Sequence, residues 1–366
     1  MSDKRPPLNF DYIQTQATGH YVSRIFPAVG IKLHGNGKKH QPCPLCGGTD
    51  RFRCDDKDGT GSWICNQCGA GTGYTLVRDY TKKDAYETHA LMADILGIDG
   101  GRQISEADKQ AWAAAQAERL SAQKQAKKQA RQTAAKTAQD RFNTATPTDT
   151  HAYLSKKGVR SHGISADDKG NLLIPLYYHN TQTGNITLCN VQSISADGGK
   201  LFVKDGLVGG AFYTLGDVLS GDTILICEGY ATGASIFEAL GSIYPVIITF
   251  NADNMVKCAS IIRTLYPQHR LIFCADDDKA TEIKTGKNTG ISAGDESATL
   301  TGSEVISPDF GDDERTTTGE LTDYNDLHAH FGMDVVKAQL VYALNRPRPK
   351  VITDTHGGYT LDYLNE

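Results

Sequence analysis

Two matched cysteine pairs, Cys43-Pro-Leu-Cys46 and Cys65-Asn-Gln-Cys68, are separated by 18 residues, a spacing within the range of zinc ribbons. Four thiolates complete the tetrahedral shell of Zn²⁺, so such a site is structural and leaves no open position for catalysis. His40 and Cys54 lie near enough in sequence to replace one ligand. A second set of residues points to different chemistry. The apolar run 223–227 leads into Glu228-Gly229-Tyr230, and the run 270–275 leads into Asp276-Asp277-Asp278. Carboxylates brought together repel one another unless a hard cation neutralises them, and Mg²⁺ is the usual partner of carboxylates with phosphates. Helix capping accounts for any one of these acids. It accounts poorly for Glu-Gly after one run and Asp-x-Asp after another, so a cation site at Glu228, Asp276 and Asp278 is the stronger reading.

These groups need elements to position them. Short apolar runs at 223–227, 245–250 and 270–275 alternate with helical spacing at 231–240 and 255–266. Fully apolar strands alternating with helices predict a parallel sheet covered on both faces, with ligands at the carboxyl ends of its strands. Adjacent strand ends would then bring Glu228, Asp276 and Asp278 to one edge. Upstream, 171–178 and 186–194 read as a strand pair around the turn 179–185. Apolar spacing at 10–35 and 74–97 predicts helices on either side of the cysteine segment. From 102 to 141 the chain turns to Ala, Gln, Lys and Arg, with almost no large apolar residue after Leu120. High helix propensity with little to bury predicts a solvated helical tether.

Between the cysteine pairs, Arg51, Arg53 and Trp63 offer alternating basic and aromatic side chains that suit a phosphate backbone and stacked bases. The competing reading is that Phe52 and Trp63 fill the small core while the arginines are solvated. Sequence alone does not separate the two.

Of the 366 residues, 39% are hydrophobic and 22% charged, which excludes collagen-like, disordered and supercharged classes. No run approaches the ~18 apolar residues of a membrane span, and the first residues carry no apolar signal core, so a cytoplasmic protein without a membrane partner is expected. Nine cysteines in that setting read as thiols or metal ligands rather than disulfides. The net charge of −5 conceals an asymmetry, because residues 1–147 carry +6 and the remainder −11. A basic half joined to an acidic half suits a polyanion-binding module attached to a cation-holding site. Six basic residues and no acid lie between Arg119 and Lys136. A charge run of this kind is more often a solvated face than a phosphate contact.

Cys227-Glu-Gly-Tyr230 followed by Phe273-Cys-Ala-Asp-Asp-Asp278 resembles the Toprim domain, the nucleotidyl-transfer module of primases and topoisomerases. Residues 42–53 and 59–69 resemble the zinc-binding domain of phage and plasmid primases and primase-helicases. That similarity extends through 171–175, 199–204, 227–235, 288–290 and 323–328. The resemblance implies that Glu228, Asp276 and Asp278 bind catalytic Mg²⁺ or Mn²⁺, and that Glu228 can relay a proton. It implies that Lys200 and Lys204 hold nucleotide phosphates or template, although bare sequence shows only two lysines near a turn. Asp323, Asn325 and Asp326 match a further stretch, expected to be a helix start that orders the site. The extra Asp277 leaves the choice of cation-binding acids open by one position.

The expected fold class is therefore a multidomain α/β protein. Residues 1–100 form a β-rich zinc ribbon, 101–146 a basic helical linker, and 147–220 the α+β subdomain of a primase core. Residues 221–310 form the Toprim core with its Rossmann-like parallel sheet, and 311–366 a C-terminal helical segment and tail. The expected function is a DNA primase of a phage, plasmid or other mobile element, making short RNA primers from NTPs on single-stranded DNA by two-metal nucleotidyl transfer. No Gly-x-x-x-x-Gly-Lys-Ser/Thr motif is present, so a separate replicative helicase is the expected partner, with a single-strand-binding protein as a further one. The alternatives are a Toprim nuclease, a topoisomerase fragment, or a zinc-dependent accessory protein that binds single-stranded DNA.

Overall fold

A computed structural model describes residues 7–35, 37–99, 106–311, 321–347, 350–353 and 359–362. The chain divides into two compact units, residues 1–120 and 121–366.

In the first unit, helix α1 (Phe10–Ala17), a π-helical turn (Tyr21–Ile25) and α2 (Phe26–Val29) precede a four-stranded antiparallel sheet. Its strands are β1 (Gln41–Cys43), β2 (Gly47–Cys54), β3 (Trp63–Cys65) and β4 (Gly69–Gly71). Helices α3 (Gly73–Thr81) and α4 (Ala85–Leu96) follow. Asp84 and Glu87 form a reciprocal capping box that fixes the start of α4. The register pairs Phe52 with Cys65 and Cys54 with Trp63, which turns these side chains inward. They share a core with Ile13, Ile25, Phe26, Leu76, Val77 and Met92.

A long helix, α5 (Glu106–Thr144), leads into the second unit. Its C-terminal part is not the solvated tether that composition suggests. Ala134 and Ala138 are buried, and Ala138 packs with Phe142 against Leu188, Val191 and Tyr177. Alanines at i and i+4, followed by Phe142 at i+8, make a narrow apolar seam on one helix face, which docks with a single large residue. Arg141 anchors this end through Asp167 at 2.7 Å.

The second unit is built on one mixed sheet. Its antiparallel part comprises β5 (Thr146–Pro147), β6 (Ser165–Ala166), β7 (Leu172–His179), β8 (Ile186–Ile194), β9 (Lys200–Phe202) and β10 (Ala211–Leu215), with α6 (Ala152–Lys157) between β5 and β6. The long β7–β8 pair is the strand pair expected from sequence. The chain continues through β11 (Thr223–Cys227), α7 (Tyr230–Ala239), β12 (Val246–Ile248), α8 (Ala252–Leu265) and β13 (Arg270–Cys274). Then come α9 (Lys279–Thr285), α10 (Thr289–Thr301), β14 (Glu304–Ile306), α11 (Tyr324–Phe331) and α12 (Met333–Leu344). Strands β14, β13, β11 and β12 lie side by side and parallel, and β10 joins β12 antiparallel.

Every residue of β11 is buried, as its apolar run requires of a strand covered on both faces. Helix α7 packs with α11 and α12 in one core, while α8 and α10 cover the other face. A Cβ at Gly233 would stand 2.8 Å from Ile248 Cγ1 and 3.1 Å from Cys227 Sγ. Glycine there lets α7 seat directly on the sheet beneath the strand ends. Beyond α12, β15 (Lys350–Thr353) pairs antiparallel with β16 (Tyr359–Asp362). The expected tail begins at Arg346, and its Arg348 and Pro349 lie outside the described residues. Among the described residues no helix is long and apolar enough to cross a membrane.

Candidate functional site

The ribbon gathers its four thiols from two β-turns. Cys43 and Cys46 flank the β1–β2 turn, and Cys65 and Cys68 flank the β3–β4 turn. Cys43 Sγ lies 3.9 Å from Cys68 Sγ, and Cys46 Sγ lies 3.7 Å from Cys65 Sγ. Backbone N–H groups of Gln67 and Cys68 each donate to Cys65 Sγ at 3.5 Å, and that of Leu45 donates to Cys43 Sγ at 3.4 Å. Burial raises the Cys65 thiol, but those N–H donors together with the neighbouring Cys43 and Cys46 thiols outweigh it and bring it down to about 7. Such donors stabilise thiolate, the form that binds metal. Among the described residues these are the one group of three or more metal-ligating side chains whose ligand atoms all lie within 4.8 Å of one another. The four cysteines form the zinc site. Cys54 is buried at the end of β2 and His40 bonds the Asp50 carbonyl at 2.7 Å, and neither joins this group.

Trp63 is 5% exposed, stacks on Phe52 and donates its indole N–H to the Thr72 carbonyl at 3.0 Å. It fills the ribbon core and presents no face to a base, which corrects the expectation of a stacking role. Arg51 and Arg53 point outward. Arg51 bonds Gln67, and Arg53 pairs with Asp55 at 3.2 Å in solvent. Ile64, paired with Arg53 across the strands, is the exposed apolar residue of that face.

The parallel strands bring the acids to one edge. Ile226 is in register with Phe273, so Glu228 follows β11 one strand away from Asp276 after β13. The Ala252 N–H at the start of α8 favours the ionised Glu228 carboxyl, whose Oε1 is buried without a partner. Asp276 Oδ1 is buried and unpartnered as well. Asp278 Oδ2 accepts the Gly290 N–H at 3.1 Å. Burial and the negative charge of Asp278 push Glu228 up to about 7. Burial, with Glu228 and Asp323 nearby, holds Asp276 well above the ordinary carboxylate range. Orphaned, mutually repelling oxygens of this kind are what a hard divalent cation neutralises. Among the described residues no three of these carboxylates come as close together as the four thiols do.

The ambiguity of the acidic triplet has a structural answer. Asp277 Oδ1 accepts the Asn288 side-chain N–H at 2.7 Å, and its own N–H donates to the Thr322 carbonyl at 2.8 Å. It is thus a tether between two segments rather than a member of the unpartnered pair. Asn288 also accepts the Asp278 N–H at 3.1 Å and caps α10. A Cβ at Gly290 would stand 2.2 Å from the Asp276 carbonyl oxygen, so only glycine permits α10 to start against this loop.

Asp323 caps α11 and accepts the Thr232 hydroxyl at 2.8 Å, placing that helix start against the acids. Asp326 completes the capping box and lies 3.6 Å from Lys157 Nζ, and Asn325 bonds the Lys157 carbonyl at 2.7 Å. Lys200 and Lys204 are exposed at β9 and just beyond it. The Lys200 ammonium reaches the strand end, since a Cβ on Gly229 would stand 3.9 Å from its Nζ. Two contributors had no sequence signal of their own. Phe250 takes a left-handed φ of 73° directly after β12, donates its N–H to the Glu228 carbonyl at 2.7 Å and packs on Phe202. Asn254 is buried and bonds Gly210, Ala211 and Thr249, tying α8 to β10 and β12.

Residues 38–74 match the zinc-binding domain of primase-helicase. Over 222 residues the chain is 31% identical to a DNA primase TraC of Escherichia coli, an alignment that spans 59% of this chain and 20% of that protein. A second E. coli DNA primase TraC is 28% identical over 240 residues, spanning 62% and 16% respectively. The chain thus spans about a fifth or less of the length of these curated relatives. Among solved structures, the primase fragment of the bacteriophage T7 primase-helicase aligns over 82% of this chain and 98% of its own, at 15% identity and a TM-score of 0.39. The Aquifex aeolicus primase, zinc-binding and RNA polymerase domains, aligns over 93% and 85%, at 13% identity and 0.36. The resemblance to primases is borne out by the ribbon match and the DNA primase TraC alignments.

Proposed function

We propose that the chain is a DNA primase that joins NTPs into short RNA primers on single-stranded DNA. The observation that carries this reading is the pair of buried, unpartnered oxygens, Glu228 Oε1 and Asp276 Oδ1, on adjacent parallel strand ends. The zinc ribbon and the 31% identity to a DNA primase TraC support it.

In this reading Glu228, Asp276 and Asp278 hold Mg²⁺ or Mn²⁺. When bound, these ions align a 3′-hydroxyl with an α-phosphate and screen the charge that develops there. The protein's own part is positional. Asn288 and Gly290 fix the Asp276–Asp278 loop, the Ala252 N–H orients Glu228, and Asp323 and Asp326 seat α11 beside them. Glu228 would also suit a proton relay from the attacking hydroxyl. Lys200, beside Gly229, would meet triphosphate at the same edge, and Lys204 would meet template phosphates. Arg51 and Arg53 on the outer ribbon face would contact the template. A replicative helicase and a single-strand-binding protein are the proposed protein partners.

The test is to incubate the full chain with mixed-sequence single-stranded DNA, labelled NTPs and Mg²⁺, and to resolve the products. Short, alkali-labile, template-dependent oligonucleotides are expected. Shortened DNA would instead assign the site to nuclease chemistry. DNA binding without synthesis or cleavage would assign an accessory role.

A further inference from the structure

The basic run on α5 takes no part in the chemistry described so far. Within the second unit it carries Lys124, Lys127, Lys128 and Arg131, all exposed, and no acid occurs between residues 119 and 139. The next two basic residues are neutralised, Lys136 by Asp140 at 2.8 Å and Arg141 by Asp167 at 2.7 Å. Among the described residues the four upstream cations have no ion-pair partner.

Their placement on the helix is specific. At 100° per residue, Lys127, Arg131 and Lys124 fall within about 60° of the centre of the Ala134–Ala138 face, with Lys128 on its flank. That face packs on β8 through Ala138, Leu188 and Val191. The inner face of α5 therefore changes from apolar, where it covers the sheet, to basic one turn further toward its N-terminus. A solvated helix would scatter its charges or turn them away from the docked side. Arg131, one turn before Ala134, is still near enough to β8 for its charge to act on the Cys189 thiol. Val203 packs against the same cluster as Ala138, and the next residue is the exposed Lys204. The nearest exposed acid on that loop is Asp205.

We propose that Lys124, Lys127, Lys128 and Arg131, continued by Lys204, form a sequence-independent track for the phosphate backbone of single-stranded DNA. The choice of DNA as the polyanion rests on the primer-synthesis reading. The track from Lys124 to Arg131 rises about 10 Å along the helix, so it follows a short stretch of strand. Each phosphate neutralised on a single strand contributes about 0.7 to the slope of log affinity against log salt.

The test is fluorescence anisotropy of a labelled oligothymidylate with the full chain, without NTPs, across a salt series. Compared are the native chain, the combined K124Q/K127Q/K128Q/R131Q variant, the charge-keeping K124R/K127R/K128R variant and the already paired Lys136→Gln. The slope is expected to shrink by about 2.8 in the first variant alone. Between about 50 and 200 mM NaCl the native Kd then rises about fifty-fold more than that of the variant. Helix content by circular dichroism is expected to be equal in all four, since Gln and Arg are good helix formers. Equal slopes would overturn the proposal. So would displacement by polyglutamate as effective as by unlabelled oligothymidylate, which would assign the face to an acidic protein segment. Primer synthesis with equal slopes would refute the track alone, whereas a changed slope without synthesis would refute the primer-synthesis reading and uphold the track.

Discussion

Replacing Glu228 by Gln should make the divalent-free protein more stable at pH 8 and change it by less than about 1 kcal/mol at pH 5. Its carboxyl is raised from an ordinary 4.5 to about 7 by burial and by Asp278. At 1.36 kcal/mol for each tenfold change in proton affinity, that is about 3 kcal/mol of destabilisation when Glu228 is ionised. The sign follows from linkage. Between the unfolded and folded values the folded state holds more protons, so stability falls as pH rises through that window. The penalty is absent below about pH 4.5 and complete above about pH 7. Gln keeps an acceptor for the Ala252 N–H and can turn its NH₂ toward the neighbouring carboxylates, so it removes the charge without emptying the position. For a unit the size of residues 121–366, about 3 kcal/mol corresponds to a rise in Tm of about 6–12 °C. The assay is thermal unfolding at pH 5 and pH 8, with zinc retained and with or without Mg²⁺. Mg²⁺ should stabilise the native chain most at pH 8, where protons compete least, and should stabilise the Gln variant much less. A Gln variant less stable than native at pH 8, or a gain independent of pH, would refute the claim that these acids are held together against their own repulsion.

Arg270 donates twice to Glu304, at 2.6 and 2.8 Å, with both side chains under 10% exposed, and also donates to the Ala343 and Leu344 carbonyls. Arg270→Ala should cost about 3–5 kcal/mol in urea unfolding, because it leaves Glu304 buried and unpaired. Cys65→Ser should abolish stoichiometric zinc and open residues 37–99 to proteolysis while leaving the unfolding of the second unit unchanged, since a closed zinc site supplies folding energy locally. Gly290→Ala should displace the Asp276 peptide, whose oxygen stands 2.2 Å from the new Cβ. It should weaken Mg²⁺-dependent stabilisation by at least about tenfold, with a fall in overall stability of about 1–3 kcal/mol.

The parts legible in the sequence were those in which one residue pattern has one structural solution. Paired Cys-x-x-Cys motifs fixed the zinc site, and fully apolar runs ending in acids fixed the parallel strands and the edge that carries Glu228 and Asp276. The docked half of α5 was hidden because its seam is mostly alanine, which composition cannot distinguish from a solvated helix. Trp63 was undecided because an aromatic at alternating spacing suits a core or a base equally well, and only the register with Cys54 and the bond to Thr72 turn it inward. The separate fates of Asp276, Asp277 and Asp278 depend on Asn288 and Thr322, which reach them from other segments. Phe250 and Asn254 carry no motif, since a left-handed φ and a buried amide are set by tertiary contacts rather than by local preference.

The central claim is that the strand-end carboxylates perform the chemistry, and its most direct test is primer synthesis compared between Asp276→Asn and Asp277→Asn. Asp276 Oδ1 is buried and unpartnered, whereas Asp277 is committed to Asn288. The account predicts short RNA from the native chain and none from Asp276→Asn. Asp277→Asn should remain within about tenfold of native, the worth of one hydrogen bond. Full synthesis by Asp276→Asn, or its loss in Asp277→Asn alone, would contradict it.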